Sequence, residues 1–231
     1  MEQNISWQNR RINDLVIDIK SGFSFPKNKL SESGTGQLRP YNITTSLTLD
    51  LSSLVYIPES SPGIDLKSYF LKEGDILFNN TNSRELVGKT AIVEEDIDVC
   101  FSNHITRIRV DQSIVEPKWF ALCLHRHWFL GTFEAKCKRW IGQAGFSPTK
   151  LNQLYISTPD RHVQKVIVFR IEELTKKVEE VKKIHEQIGS DIHGLMNSIF
   201  DKAFQGQLVK NIPNKHDEHA KSKHGSILDY T

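Results

Sequence analysis

Apolar residues recur at Ile167, Ile171, Leu174, Val178, Val181, His185, Ile188, Ile192, Leu195 and Ile199, at alternating steps of four and three, and nine of these ten positions are apolar. A 3.5-residue period held over nearly five heptads predicts a helix that needs a partner helix to cover its stripe. At 1.5 Å per residue the seam is roughly 50 Å long. Ile171, Val178, His185, Ile192 and Ile199 fall at a, and Ile167, Leu174, Val181, Ile188 and Leu195 at d. His185 is the polar member; such a residue costs stability but can fix register. Gly189 weakens the helix by about 1 kcal/mol relative to alanine and can mark a bend. A helix folded back on its own body is the alternative, and the sustained period argues against it. The seam does not separate parallel from antiparallel pairing.

The pattern ahead of this helix is mixed. Leu15, Val16, Ile17 and Ile19 predict a short strand or helix, and residues 21–40, rich in Gly, Ser, Lys and Pro, predict a long loop. Tyr41 to Tyr56 alternate weakly, as strands do. Leu71 to Asp75 predict a turn feeding a buried strand, Ile76-Leu77-Phe78. A polar loop over Asn79 to Arg84 leads to a strand at Gly88 to Val93, and Val99 to Val110 predict one more. Pro117 to Phe133 have helical periodicity, residues 136–150 read as a loop, and Leu151 to Pro159 as a last strand. The expected fold class is α+β: a globular body over 1–160, a coiled-coil helix over 161–208, and a polar, His/Lys-rich tail over 209–231 whose composition predicts disorder.

Charge changes this picture locally. The chain has 231 residues and a formal net charge of +2, and residues 1–160 balance 18 Lys+Arg against 18 Asp+Glu. Residues 118–150, however, hold Lys118, Arg126, Lys136, Lys138, Arg139 and Lys150 against Glu134 alone. A neutral protein with one basic face can bind a polyanion; a merely solvated surface is the bland alternative. No apolar run approaches a membrane span, and Met1 to Arg11 lack a signal-peptide core. Cys100, Cys123 and Cys137 are odd in number and lack CxxC spacing, which fits a reducing cytoplasm better than a disulfide framework.

Enzyme signatures are weak. Cys123, His125, His127 and Cys137 do not have usual zinc spacing, and in a helix i, i+2 and i+4 do not share a face. Asp111 with Glu134-Ala135-Lys136 loosely matches a Mg²⁺ nuclease core. No P-loop, glycine-rich cofactor loop or Asn/Asp-Pro-Pro-aromatic signature occurs. No metal site is expected.

Leu71 to Val93, read as LKEGDILFNNTNSRELVGKTAIV, resembles the target recognition domain of type I restriction-modification specificity subunits. Ile19-Lys20-Ser21-Gly22, Leu38 to Ile43 and Phe101-Ser102-Asn103-His104 stand in the order that family has. Gln143 to Leu151 with Ile156 to Pro159 resembles its domain exit, and Phe200 to Leu208 its end-of-helix motif. Together they cover about residues 7–209. The resemblance implies a non-catalytic subunit that reads a bipartite site in double-stranded DNA. It would hold modification subunits, which methylate adenine with S-adenosylmethionine, and restriction subunits, where the system has them, which use ATP and Mg²⁺. This chain would bind no cofactor itself. Usual members carry two recognition domains and two helices that pair antiparallel. One domain and one helix make this a half-length form, expected to homodimerise and read an inverted repeat with an unread spacer.

Base reading needs Arg, Lys, Asn or Gln on loops, and phosphate binding needs Lys, Arg and small hydroxyls. Three loops offer them: Lys27, Lys29, Gln37 and Arg39; Asn80, Thr81, Asn82, Ser83 and Arg84; and Lys136, Lys138, Arg139, Trp140 and Gln143. The second set can equally hydrogen-bond its own turns, whereas the third combines charge with an aromatic suited to stacking. Three alternatives stay open: pairing with a different half at an asymmetric site, a Mg²⁺-dependent endonuclease, and a protein-binding scaffold.

Overall fold

The structure, a computed structural model, describes residues 6–59, 61 and 63–208; the tail over 209–231 expected to be disordered lies outside them. The chain begins with β1 (Gln8–Arg11), β2 (Val16–Ser21), β3 (Thr35–Leu38) and β4 (Val55–Ile57). Next come β5 (Ile76–Asn79), β6 (Thr81–Asn82), β7 (Thr90–Ile92), β8 (Val99–Phe101) and β9 (Ile105–Val110). Helices α1 (Pro117–Phe129) and α2 (Thr132–Lys136) precede β10 (Lys138–Trp140), β11 (Gln143–Gly145) and α3 (Pro148–Leu151). Strand β12 (Tyr155–Thr158) leads into α4 (Arg161–Phe204), and short 3₁₀ turns sit at Ile12–Asp14, Lys27–Lys29, Pro40–Asn42 and Leu66–Tyr69. The fold is α+β with a long C-terminal helix.

The apolar run Ile76-Leu77-Phe78 is explained by a sheet with a core on each face. β5 lies inside a four-stranded sheet of order β2-β9-β5-β7. Ile76 and Phe78 point into one core with Ile108, Val110 and the α1 residues Phe120 and Leu124. Leu77, one residue out of phase, points into a second core with Leu38, Phe101 and Ile105. Period-two geometry sends neighbours to opposite faces, so a strand buried on both must be apolar throughout.

A buried ion pair fixes the entry to this strand. Asp75 accepts from Arg109 Nε at 2.5 Å and Nη2 at 3.0 Å, and from the Lys72 backbone N–H at 2.9 Å. Gly74 takes a left-handed φ of +84°, which glycine adopts without a Cβ clash. Arg107, on the same face of β9, donates to Asp18 at 2.7 Å. The Lys-Glu-Gly-Asp stretch is therefore a turn closed by a buried carboxylate. Gly22 has a different constraint, since a Cβ there would stand 2.2 Å from the Phe101 carbonyl oxygen.

Several sequence expectations are corrected. Residues 21–40 are not one loop: β3 pairs parallel to β8 and antiparallel to β4. Tyr41 to Tyr56 contain mostly turns, organised by buried Asn42, which donates to the carbonyls of Asp50 and Ser53. Val99 to Val110 are two strands separated by a turn at Asn103, and residues 136–150 contain a hairpin and a short helix.

One compact unit runs to Ile171 and so includes the first turns of α4, beyond the expected body end at 160. Buried Gln164 anchors these turns: it accepts from the Glu116 backbone N–H at 2.9 Å and donates to the carbonyls of Pro159 and Ile114 at 2.8 and 3.2 Å. Val168 joins the first core and Ile167 packs beside it, so Ile167 is engaged by the chain's own body rather than by an open seam. The second unit starts at Glu172. Along it Leu174, Val178, Val181, His185, Ile188, Ile192, Leu195 and Ile199 are all exposed, while Ile171, the last residue of the first unit, is half-buried.

Candidate nucleic-acid interface

Two of the three proposed loops form one sheet. β10 and β11 make a hairpin with Lys138 opposite Gly145, Arg139 opposite Ala144 and Trp140 opposite Gln143. β11 pairs in turn with β6, setting Ala144 against Asn82 and Gly145 against Thr81. The hairpin closes on the two-residue turn Ile141-Gly142, with Gly142 at φ +76°. Lys138, Arg139, Trp140, Ile141 and Gln143 are exposed, whereas Ala144 and Phe146 are buried in the first core. The buried stretch Ala144 to Phe146 ties the root to the core, and the exposed stretch Lys138 to Gln143 leaves the tip in water.

Lys138 and Trp140 share a face, their ammonium and ring 5.5 Å apart. The Trp140 ring lies over Gly145, where a Cβ would come within 2.8 Å of it. Beside them runs a groove of about 550 Å³ lined by Ser21, Asn80, Thr81, Asn103, Lys138, Trp140, Gly145, Phe146, Ser147, Pro148 and Lys150. Lys150 Nζ donates to the Lys136 carbonyl at 3.0 Å, so Lys136 and Lys150 stand together at the root of the hairpin. The groove can offer cations, hydroxyls and an aromatic face to a sugar–phosphate chain and its bases.

The second loop mostly supports the fold. Asn80 donates to the Asn103 carbonyl at 3.1 Å and to Thr106 Oγ1 at 2.9 Å, and accepts from Thr81 Oγ1 at 2.7 Å. Asn82 accepts from the Ser83 backbone N–H, and Arg84 pairs with Glu134 at 2.8 Å, tying the loop to α2. These bonds occupy Asn80, whereas Asn82 and Arg84 are held through one atom each, and Ser83 is half-buried.

The first loop divides. Lys27 and Lys29 are exposed in a 3₁₀ turn. Gln37 is fully buried in β3 and donates to the Phe23 carbonyl at 3.2 Å. It is corrected from a base reader to a strand residue, because a side chain pointing into the interior cannot reach a groove of DNA. Arg39 is half-exposed and lies close enough to His104 to help lower its pKa. His104 in turn accepts the Asn80 backbone N–H on its carbonyl.

The wider basic stretch is dispersed by the fold. Lys118 meets Glu94 at 3.1 Å, and Arg126 lines a separate groove with Trp7, Trp119 and Tyr155. The residues of the two weak enzyme patterns have partners of their own. Asp111 accepts from Ser113, and His127 bonds the Tyr155 carbonyl and Thr132. Among the described residues no group of three or more His, Cys, Asp or Glu is placed to share a metal ion. Burial pushes the thiols of Cys100 and Cys123 up to about 12, so both stay protonated at neutral pH. No helix among the described residues is long and apolar enough to cross a membrane.

Ser21 and Asn103 line the groove and Ile141 stands at the hairpin turn, and sequence reasoning brought none of the three to the candidate site; Lys150, which also lines the groove, it had only as part of a basic stretch. The available signal was the Trp-Ile-Gly-Gln sequence, a glycine-containing turn with an isoleucine where a polar residue is usual.

The chain matches the type I restriction modification DNA specificity domain over residues 4–190. It belongs to that family. It is 28% identical over 198 residues to the putative type I restriction enzyme MjaX specificity subunit of Methanocaldococcus jannaschii, covering 85% of this chain and 46% of that protein. It is 25% identical over 158 residues to the type I restriction enzyme EcoBI specificity subunit of Escherichia coli, covering 68% and 32%. The HsdS subunit from Thermoanaerobacter tengcongensis has a similar fold, with a TM-score of 0.57 and 20% identity over 87% of this chain and 45% of that one. A chain of a solved type I restriction-modification system gives a TM-score of 0.65, also at 20% identity, over 87% and 46%. This specificity-family chain thus spans less than half the length of the relatives it matches.

The family motifs fall mainly on structural positions: Asp75 in its ion pair, Asn79 and Asn80 donating to the backbone carbonyls of Leu86 and Asn103, Gly22 against Phe101. Three histidines add a pH dependence. Burial is the first cause holding His104, His125 and His127 below the usual 6.5; nearby Arg39 adds to it at His104, and Arg126 and Lys136 at His127. A base with a lowered folded pKa binds fewer protons than it does in the unfolded chain. Its stabilisation is complete above pH 6.5 and is lost as pH falls below that value toward the lowered folded pKa. The melting temperature is expected to fall on acidification from about pH 7 to about pH 5, ahead of carboxylate protonation. A flat thermal-unfolding profile over that window would refute this.

Proposed function

We propose that this chain is a non-catalytic DNA-recognition subunit of a type I restriction-modification complex. The observation that carries the reading is the β10–β11–β6 sheet, which brings Lys138, Arg139, Trp140 and Gln143 to one exposed hairpin beside a groove. Membership of the specificity family supports it. The partners are double-stranded DNA and a modification subunit, with a restriction subunit where the system has one, and the setting is the cytoplasm. S-adenosylmethionine is assigned to the modification partner, and ATP and Mg²⁺ to the restriction partner.

We further propose that two copies pair through α4. The support is the exposed stripe from Leu174 to Ile199, whose apolar side chains are each about half exposed or more. Flanking residues favour an antiparallel pair. In parallel register, Lys177 would face the partner's Lys182 on both sides of the seam. Antiparallel, with His185 against the partner's Val181, Lys177 instead faces the partner's Asp191 twice, and only the two Lys182 meet. Two copies then read an inverted repeat with bases between the half-sites that neither contacts.

Co-expression with the system's modification subunit, followed by mapping of N6-methyladenine in host DNA, tests both proposals. A methylated inverted repeat with an unread spacer is expected. An asymmetric site would overturn homodimeric reading, and no new methylation despite co-purification would overturn the recognition role. Val181→Glu with Ile188→Glu buries like charges in the seam and is expected to leave a folded monomer in light scattering. A dimer of unchanged affinity would place the interface elsewhere.

A further inference from the structure

The two large apolar side chains at the hairpin end are not equivalent. Trp140 is held over Gly145 with Lys138 beside its ring. Ile141 is fully exposed, at 105% of its reference area, and occupies the first turn position. Such turns ordinarily carry Gly, Asn, Asp or Ser, and an isoleucine held wholly in water adds nothing to its own fold. The turn is also narrow, because its strands stand only about 5 Å apart.

Charge identifies the occupant. Lys138 and Arg139, adjacent on β10, face opposite sides of the hairpin, Lys136 and Lys150 stand at its root, and the groove lies beside them. A protein partner would want a broad apolar patch. A single aliphatic tip between cations instead matches the side chains that DNA-bending proteins insert between base pairs. We infer that Ile141 is a wedge that enters between neighbouring base pairs of duplex DNA while Lys138 and Arg139 grip the phosphates on either side. This rests on the DNA-recognition role above and adds a mechanism to it: part of the discrimination comes from how readily a base step unstacks and kinks, rather than from hydrogen bonds to base edges.

Insertion unwinds DNA, so the test is topological. The full-length chain is added at low salt to a closed circular plasmid of mixed sequence, topoisomerase I relaxes the complex, and the deproteinised topoisomers are resolved. Filter retention of a fragment of the same plasmid measures binding separately. The wild-type chain is expected to shift the topoisomer distribution in proportion to bound protein. Ile141→Ser should bind with an unchanged salt slope and lose the shift, and Ile141→Leu should restore it. Because Ile141 is fully exposed, neither variant disturbs the core. Wild-type binding without a shift, or an undiminished shift from Ile141→Ser, would overturn the wedge and leave the recognition role standing. A folded wild-type chain that binds no duplex, either alone or co-purified with the modification subunit, would remove that role, and the wedge with it.

Discussion

Replacement of Asp75 by alanine is expected to cost about 3 kcal/mol of folding stability, the lower end of what breaking a buried ion pair costs when one partner stays charged. Asp75 is almost fully buried and accepts two bonds from Arg109 and one from the Lys72 backbone. Without it the Arg109 guanidinium, about one third exposed, keeps only water and the more distant charges of Asp18 and Asp96, and Lys72 N–H loses its acceptor. Arg107 retains Asp18 at 2.7 Å, which limits the damage. Asp75→Asn should fall between the two, since the amide keeps an acceptor but loses the charge. Urea unfolding of the three proteins measures this. If Asp75 served DNA recognition instead, Asp75→Ala would unfold at the wild-type midpoint and fail only in binding.

Removing Lys136, Lys138 and Arg139 together is expected to weaken DNA binding across all sequences and to flatten its salt dependence. Each phosphate contact contributes about 0.9 to the slope of log affinity against log salt, so three contacts correspond to a decrease of roughly 2.7. All three residues are exposed, and none closes an ion pair with a carboxylate among the described residues. Stability should therefore change little. Lys27→Ala with Lys29→Ala is the matched control, with equally exposed charges in a 3₁₀ turn outside the hairpin. Titration in several salt concentrations decides between them. An unchanged slope in the triple variant, or an equal decrease per removed charge in the control, would move the phosphate path away from β10.

Part of the candidate site was legible in the sequence. The basic and aromatic character of residues 136–143 was visible in one dimension, because charge and aromaticity belong to the residue. The roles of Gln37, Arg84 and Asn80 were not. Each has a side chain suited to base reading, yet Gln37 is turned inward by the pleat of β3, Arg84 is bound by Glu134, and Asn80 is saturated by Thr106, Asn103 and Thr81. Donor and acceptor type says what a side chain is able to bond; only the neighbours brought by the fold say what it does bond.

The sequence by itself determined the long helix, its heptad stripe, the buried run at Ile76 to Phe78 and the α+β class, because period and burial are local consequences of where apolar residues fall. Tertiary structure decided the rest. The parallel pairing of β3 with β8 joins Gly36 to Val99, and the β6–β11 pairing joins Thr81 to Gly145. Both are contacts between backbone groups far apart in the chain, for which short strands of ordinary composition carry no signature. The same holds for Ile167, which fits the heptad but is drawn onto the body because Val168 and Gln164 are buried there first. A residue's period can state that it wants cover, but which surface supplies the cover depends on what the rest of the chain has placed beside it.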